Sequence, residues 1–255
     1  MAMHREPPPD LQVMRVPKVH PFRNGRPYTP ALRCVVILEL LITFLCPLPT
    51  SHAADAPVAH VIQVPLPIVG DVDQMVRRQI QRITAREAAK PVDAERPLLI
   101  LEFSPTPEQD ATGSEFERSM ALARFLASPD VQQHRIVAWL PQPVSGHAVL
   151  AVLACEEMVV HPDASLGAAG QYETKPSAAM RAFYAEIADQ RRTIPIPVAM
   201  AMLDRRDKIL KAETPNGVRY LPAEELEALN EETNVQSIET LSETGDLLTI
   251  AGNDL

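Results

Sequence analysis

Pro143-Val-Ser145-Gly146-His147-Ala-Val-Leu-Ala-Val-Leu-Ala154-Cys-Glu-Glu-Met-Val-Val-His161-Pro-Asp-Ala-Ser-Leu-Gly167-Ala-Ala-Gly170 is the stretch that decides the architecture. Small apolar residues crowd 148–154, so the spacing predicts a helix over 146–156. A helix that is apolar on every side has to be buried. Met158-Val-Val-His161 reads as a short strand, and Pro162-Asp163 as the turn that ends it. Ser145 then falls at a strand-to-helix turn, at the N-cap of a buried helix, where Ser is favoured in any case.

Working outward, the same order of strand and helix repeats. Upstream, Arg135-Ile-Val-Ala-Trp-Leu140 reads as a strand stopped by Pro141 and Pro143. Residues 114–127 place Phe116, Met120, Ala123 and Leu126 on one helical face. Pro97-Leu-Leu-Ile-Leu-Glu-Phe103 is a near-continuous apolar run, as expected of a central strand covered on both faces. Val72, Met75, Val76, Ile80 and Ile83 recur at helical spacing through 72–88, after a strand at His60–Leu66. Downstream, 177–192 and 197–206 read as helices separated by the breaker Ile194-Pro-Ile-Pro197. Strands alternating with helices in this way imply an α/β fold with a mainly parallel sheet over 55–207.

After Lys208 the texture changes. Thr214-Pro-Asn-Gly217 carries the Asn-Gly hairpin signal between two strand-like runs. An acidic helix over Pro222–Glu232 and a strand over Val235–Leu241 follow. Residues 208–255 are expected to form a small α+β appendage.

Composition divides the chain a second time. With 24 Lys+Arg and 33 Asp+Glu the formal charge is −9. Residues 1–54 carry six basic and three acidic residues, so the remainder stands at −12. An acidic body argues against nucleic acid as partner, because phosphates are neutralised by clustered Lys and Arg. Residues 1–54 run from a basic, Pro-rich start through the apolar run Cys34–Cys46 to Ser51-His-Ala-Ala54. That is the order of a secretory signal, with cleavage expected after Ala53 or Ala54. An uncleaved amphipathic anchor is the alternative. Export places the mature protein in a periplasmic or secreted setting, in contact with a membrane in the anchor case. Only Cys155 then remains in the mature chain, which excludes an internal disulfide and a Cys-x-x-Cys site. Set in an apolar run, it reads as a buried small hydrophobe.

Ser145 is the residue with chemical potential. At a helix N-terminus its oxygen would sit where negative charge is stabilised and where backbone N–H groups can face an oxyanion. The segment Ala154-Cys-Glu-Glu-Met-Val-Val-His-Pro-Asp-Ala-Ser-Leu-Gly167, together with the Ser-Gly turn before it, resembles the ClpP/crotonase superfamily. It is most similar to the membrane-associated ClpP-class serine peptidases of the nodulation-efficiency (NfeD) and signal-peptide-peptidase A types. The resemblance extends from about His60 to about Arg206. It implies a spiral of β-β-α units, a homo-oligomer, and a peptide or membrane-protein segment as the partner, with no metal and no cofactor.

The resemblance puts the nucleophile on Ser145, with Gly146 and His147 beside it as oxyanion- or substrate-binding residues. The catalytic Lys position falls on Ala185, and no Lys stands on that helix; Lys175, just before it, is the nearest candidate base. Arg cannot serve as a neutral base. His161 occupies a structural turn position. The oxyanion turn is Ser104-Pro-Thr106-Pro-Glu-Gln-Asp-Ala-Thr-Gly113, which lacks the tandem glycine and leaves Thr106 and Gly113 as its candidate elements. Three functions stay open: a Ser145 peptidase, a catalytically degenerate peptide-binding or assembly module, and an acyl-CoA enzyme of crotonase type, which export makes hard to supply. Asp71/Asp73 and Glu156/Glu157 read as solvated caps, and Gly167-Ala-Ala-Gly170 as a tight turn. Gly245-Asp-Leu-Leu-Thr-Ile-Ala-Gly252 is similar to the start of a further helix in these families, from which an early stop of the chain is expected.

Overall fold

Four strands build the central sheet: β1 (Ala59–Leu66), β2 (Leu98–Pro105), β3 (Arg135–Leu140) and β4 (Glu157–Val160). They lie in the order β1-β2-β3-β4 and all neighbours are parallel. Parallel neighbours need crossovers. These are the helices α1 (Val72–Glu87), α2 (Phe116–Ala127) and α3 (Ala148–Leu153). The computed structural model describes residues 59–87, 96–106 and 111–255, and Ala56–Leu255 forms one compact unit. The leader expected over 1–54 lies outside the described residues, as do residues 107–110 of the expected oxyanion turn.

Burial follows strand alternation. In β2, Leu99, Leu101 and Phe103 are fully buried, whereas Leu98, Ile100 and Glu102 on the opposite face are only half-buried. The central strand is therefore fully covered on one face, not on both as its apolar run suggested. Helix α1 buries Val76 and Ile80, one turn apart. All six residues of α3 are buried, as an all-apolar helix requires. That helix is shorter than the expected 146–156. Beyond Leu153 the N–H of Glu156 donates to Ile136 O at 2.9 Å, so the sheet has captured the backbone before the helix could continue.

Two further helices complete the main body. Ser177 caps α4 (Ala178–Arg191), its hydroxyl accepting from Met180 N at 3.1 Å. The Pro-rich segment does not separate α4 from a helix beginning at Pro197. Instead α5 (Ile196–Leu203) starts within it, with Pro195 at its N-cap and Pro197 in the first turn, where a missing N–H costs nothing.

The C-terminal residues form an antiparallel sheet of order β7-β6-β8, from β6 (Ile209–Thr214), β7 (Gly217–Pro222) and β8 (Ser237–Ser242). Pro215-Asn216 turn the hairpin, one residue earlier than the Asn-Gly signal suggested, and Gly217, at φ +111°, is the first residue of β7, opposite Thr214. The expected acidic helix is a 3-10 turn at Ala223–Glu225 followed by α6 (Leu226–Glu232). Leu210, Ala212, Leu221 and Leu229 make a small core of their own, while Ile209 joins the main one. Two short strands were not read from the sequence. Strand β5 (Ser165–Gly167) pairs antiparallel with β9 (Thr249–Ala251). The expected start of a helix near Leu248 is thus a strand. Leu248 N donates to Ala201 O and Leu248 O accepts from Ala168 N, so both backbone groups are tied to the main body.

Candidate functional site at the Ser145 turn

Val144 leaves β3 and is bound twice to β5: its N–H donates to Ser165 O at 2.8 Å, and its carbonyl accepts from Gly167 N at 3.2 Å. This fixes the chain just before Ser145. Gly146 then turns it at φ +64°, a conformation that costs glycine little. His147 is the N-cap of α3. Ser145 therefore lies two residues before the N-cap, not at the cap position that the sequence suggested for it.

Ser145 is half-buried. Its hydroxyl oxygen accepts a hydrogen bond from Gln171 Nε2 at 3.1 Å. Gln171 follows the Gly167–Gly170 turn, in which Ala168 adopts φ +44°. The Ala168 carbonyl accepts from both Gly146 N and Gln171 N, each at 3.2 Å. The amide of Gly146, expected in the oxyanion hole, is therefore bonded within the protein. Gly113 does come to this turn: its nitrogen is 3.9 Å from where a Cβ on Gly146 would stand. Thr106 sits beyond the end of β2, its N–H directed to Leu66 O at 3.4 Å.

His147 is buried and both of its ring nitrogens are engaged. Nε2 lies 3.2 Å from Glu173 Oε1, and Nδ1 lies 3.2 Å from the Tyr184 hydroxyl. A carboxylate only accepts, so Nε2–H donates to Glu173; in the neutral ring Nδ1 then accepts from Tyr184 O–H. Burial, reinforced by the nearby Glu173 charge, pushes the Tyr184 phenol upward, which keeps it a proton donor. Phe116 meets the His147 ring edge-on at 5.2 Å between centroids. The imidazole thus ties the 171–173 loop to α4, and its two nitrogens are taken by Glu173 and Tyr184, whereas the Ser145 oxygen is bonded to Gln171.

The other candidates are also placed. Lys175 is exposed, and its side chain forms no hydrogen bond or ion pair among the described residues. Ala185 packs against the core. His161 Nδ1 accepts from Asp163 N at 3.2 Å, which closes the turn after β4. Glu156 and Glu157 pair with Arg96 and Arg135, and Arg135 holds the Glu157 carboxyl below its usual range. Among the described residues no group of three His, Cys, Asp or Glu is placed to hold a metal ion.

The site that results is a serine held by an amide. Removing the Ser145 proton needs a base. A Gln side chain offers an amide nitrogen that donates and an amide oxygen that accepts, neither of them basic at neutral pH. Ser145, Gly146 and His147 are the residues that the sequence named at this turn. Sequence reasoning missed Gln171 and Glu173, for which the only signal was a polar Gln-Tyr-Glu run directly after a glycine turn, and Tyr184, which stands within α4.

No protein-family model matches this sequence, and none of the curated proteins matches it. Among solved structures, the chain is similar to a mutant of the membrane-bound stomatin-specific protease 1510-N in complex with a substrate peptide. The identity there is 15%, over 69% of this chain and 73% of that one, with a TM-score of 0.45. It is also similar to a probable enoyl-CoA hydratase/isomerase from Mycobacterium abscessus, at 13% identity over 68% of this chain and 63% of that one, with a TM-score of 0.39.

Proposed function

We propose that this protein is a ClpP/crotonase-type α/β protein that binds peptide segments without cleaving them. One observation carries the reading: the Ser145 oxygen is hydrogen-bonded to the Gln171 amide, where a peptidase needs a base. The Gly146 amide is likewise bonded to Ala168 O, so a donor that would stabilise a tetrahedral oxyanion is turned to the protein itself. What persists is a polar turn of the kind that receives a peptide carbonyl or hydroxyl. The basic start and apolar run of residues 1–54 support export to a periplasmic or membrane-adjacent setting, and the motif resemblance supports self-association.

The test is turnover of a quenched fluorogenic peptide mixture by the purified full chain, beside Ser145→Ala. No cleavage above background is expected from either protein. Cleavage by the wild type that disappears in Ser145→Ala would overturn the proposal in favour of a serine peptidase.

A further inference from the structure

We infer that the cleft beside Gln171 is a strand-accepting subsite, in which an extended peptide lies along the open edge of β8 and runs toward Ser145. This rests on the peptide-binding reading above and names where and how the peptide is held. The cleft has a volume of about 740 Å³, and Gln171, Arg205, Leu241, Ser242, Asp246 and Thr249 are among the residues that line it. That volume is in the range of small-ligand and peptide pockets.

Three observations point to an extended main chain as the occupant. First, β8 is an edge strand: β6 occupies one side of it, and no strand among the described residues pairs with the other. An unpaired edge is a template for an added strand. Second, the β6–β8 register passes from Leu210–Thr240 to Ile209–Ser242 and skips Leu241. A bulge of this kind re-aims side chains locally, and here it falls within the cleft wall. Third, Ser242 is 5% exposed and its Oγ has no hydrogen-bond partner. An orphan hydroxyl in the lining is a group that a ligand can satisfy.

Charge does not select the ligand. Glu243 is neutralised by Lys208 at 2.9 Å, which leaves Arg205 and Asp246 with opposite signs in the lining. The opposite wall is fixed, because Gly245 N donates to Arg205 O and Leu248 N to Ala201 O. Gln171 belongs both to the cleft and to the Ser145 contact, so a chain lying in the cleft meets the partner of Ser145.

The test is fluorescence anisotropy of the full chain with a fluorescein-labelled decapeptide of alternating Val and Ser. Its twin, N-methylated at alternate residues, keeps the side chains and removes main-chain donors. The plain peptide is expected to bind, and the twin at least tenfold more weakly. Thr249→Trp and Asp246→Trp, both at exposed positions on the wall, are each expected to weaken binding at least tenfold with an unchanged circular dichroism spectrum. Equal affinity for the twin, or full affinity in both Trp variants, overturns the cleft assignment and leaves peptide binding standing. Binding of neither peptide by the wild type overturns both.

Discussion

Tyr184→Phe removes one oxygen from the interior and tests whether His147 is a structural latch. Tyr184 is fully buried, and its hydroxyl stands 3.2 Å from His147 Nδ1 on a residue that is 5% exposed. Without the phenol, Nδ1 keeps its lone pair in a place that water does not reach. Leaving such a group unpaired costs about 1–3 kcal/mol. For a folded unit of this size each kcal/mol lowers Tm by about 2–4 °C, so the midpoint should fall by roughly 2–12 °C. Urea unfolding followed by far-ultraviolet circular dichroism reads the loss directly, as a lower midpoint with an unchanged slope. The double variant His147→Leu/Tyr184→Phe should lose less than the two single losses combined, since replacing both partners removes the orphan. Stability equal to or above wild type in Tyr184→Phe would refute the latch.

Gly170→Ala places a Cβ against the Leu203 carbonyl oxygen; it should cost about 3 kcal/mol or more and appear as a collapse in soluble yield and urea midpoint. Burial outweighs the attraction of Glu87 and holds the His134 pKa below its ordinary 6.5. The unfolded chain therefore binds this proton first, and His134 makes stability fall as pH drops below about 6.5; the urea midpoint of His134→Phe should depend less on pH between 7.5 and 5.5. Asp204, hydrogen-bonded by Arg206 and Arg181, is held down to about 2 from 3.8. The stability it contributes is present above 3.8 and lost as pH falls toward 2, so Asp204→Ala should lower the urea midpoint at pH 7 through loss of the hydrogen bonds from Arg206 and Arg181, although Arg181 keeps Asp207 as a partner, and should flatten the fall in stability between pH 4 and pH 2. Burial pushes the Cys155 thiol up to about 12, so iodoacetamide at pH 8 should leave it unmodified until the protein is unfolded in urea.

The central sheet was legible because each of its parts has a local cause. The apolar runs of β1, β2 and β3 and the 3.6-residue spacing in α1 and α2 all act within a few residues. Strands β5 and β9 have three residues each, too few for any periodicity, and exist only because residues 84 positions apart are brought together, as Leu166 and Ile250 are. Gly167 marks that meeting, since a Cβ there would overlap the Leu248 carbonyl; in the sequence it reads only as part of a glycine turn. The site divides in the same way. Ser145 and Gly146 announce themselves by a Ser-Gly turn before a small-residue helix. Gln171 and Glu173 each lie 26 residues beyond the group they touch, and Tyr184 lies 37 beyond His147. Nothing local to Gln171 says that its amide will stand where Lys175 was sought.

The claim that Ser145 is an amide-held alcohol and not a nucleophile is tested most directly by a fluorophosphonate probe on the purified full chain at pH 7.5, read by intact mass. The account predicts no adduct, with wild type and Ser145→Ala alike unmodified. A stoichiometric adduct on the wild type that is absent from Ser145→Ala would contradict it, because only a base-activated serine oxygen forms that bond.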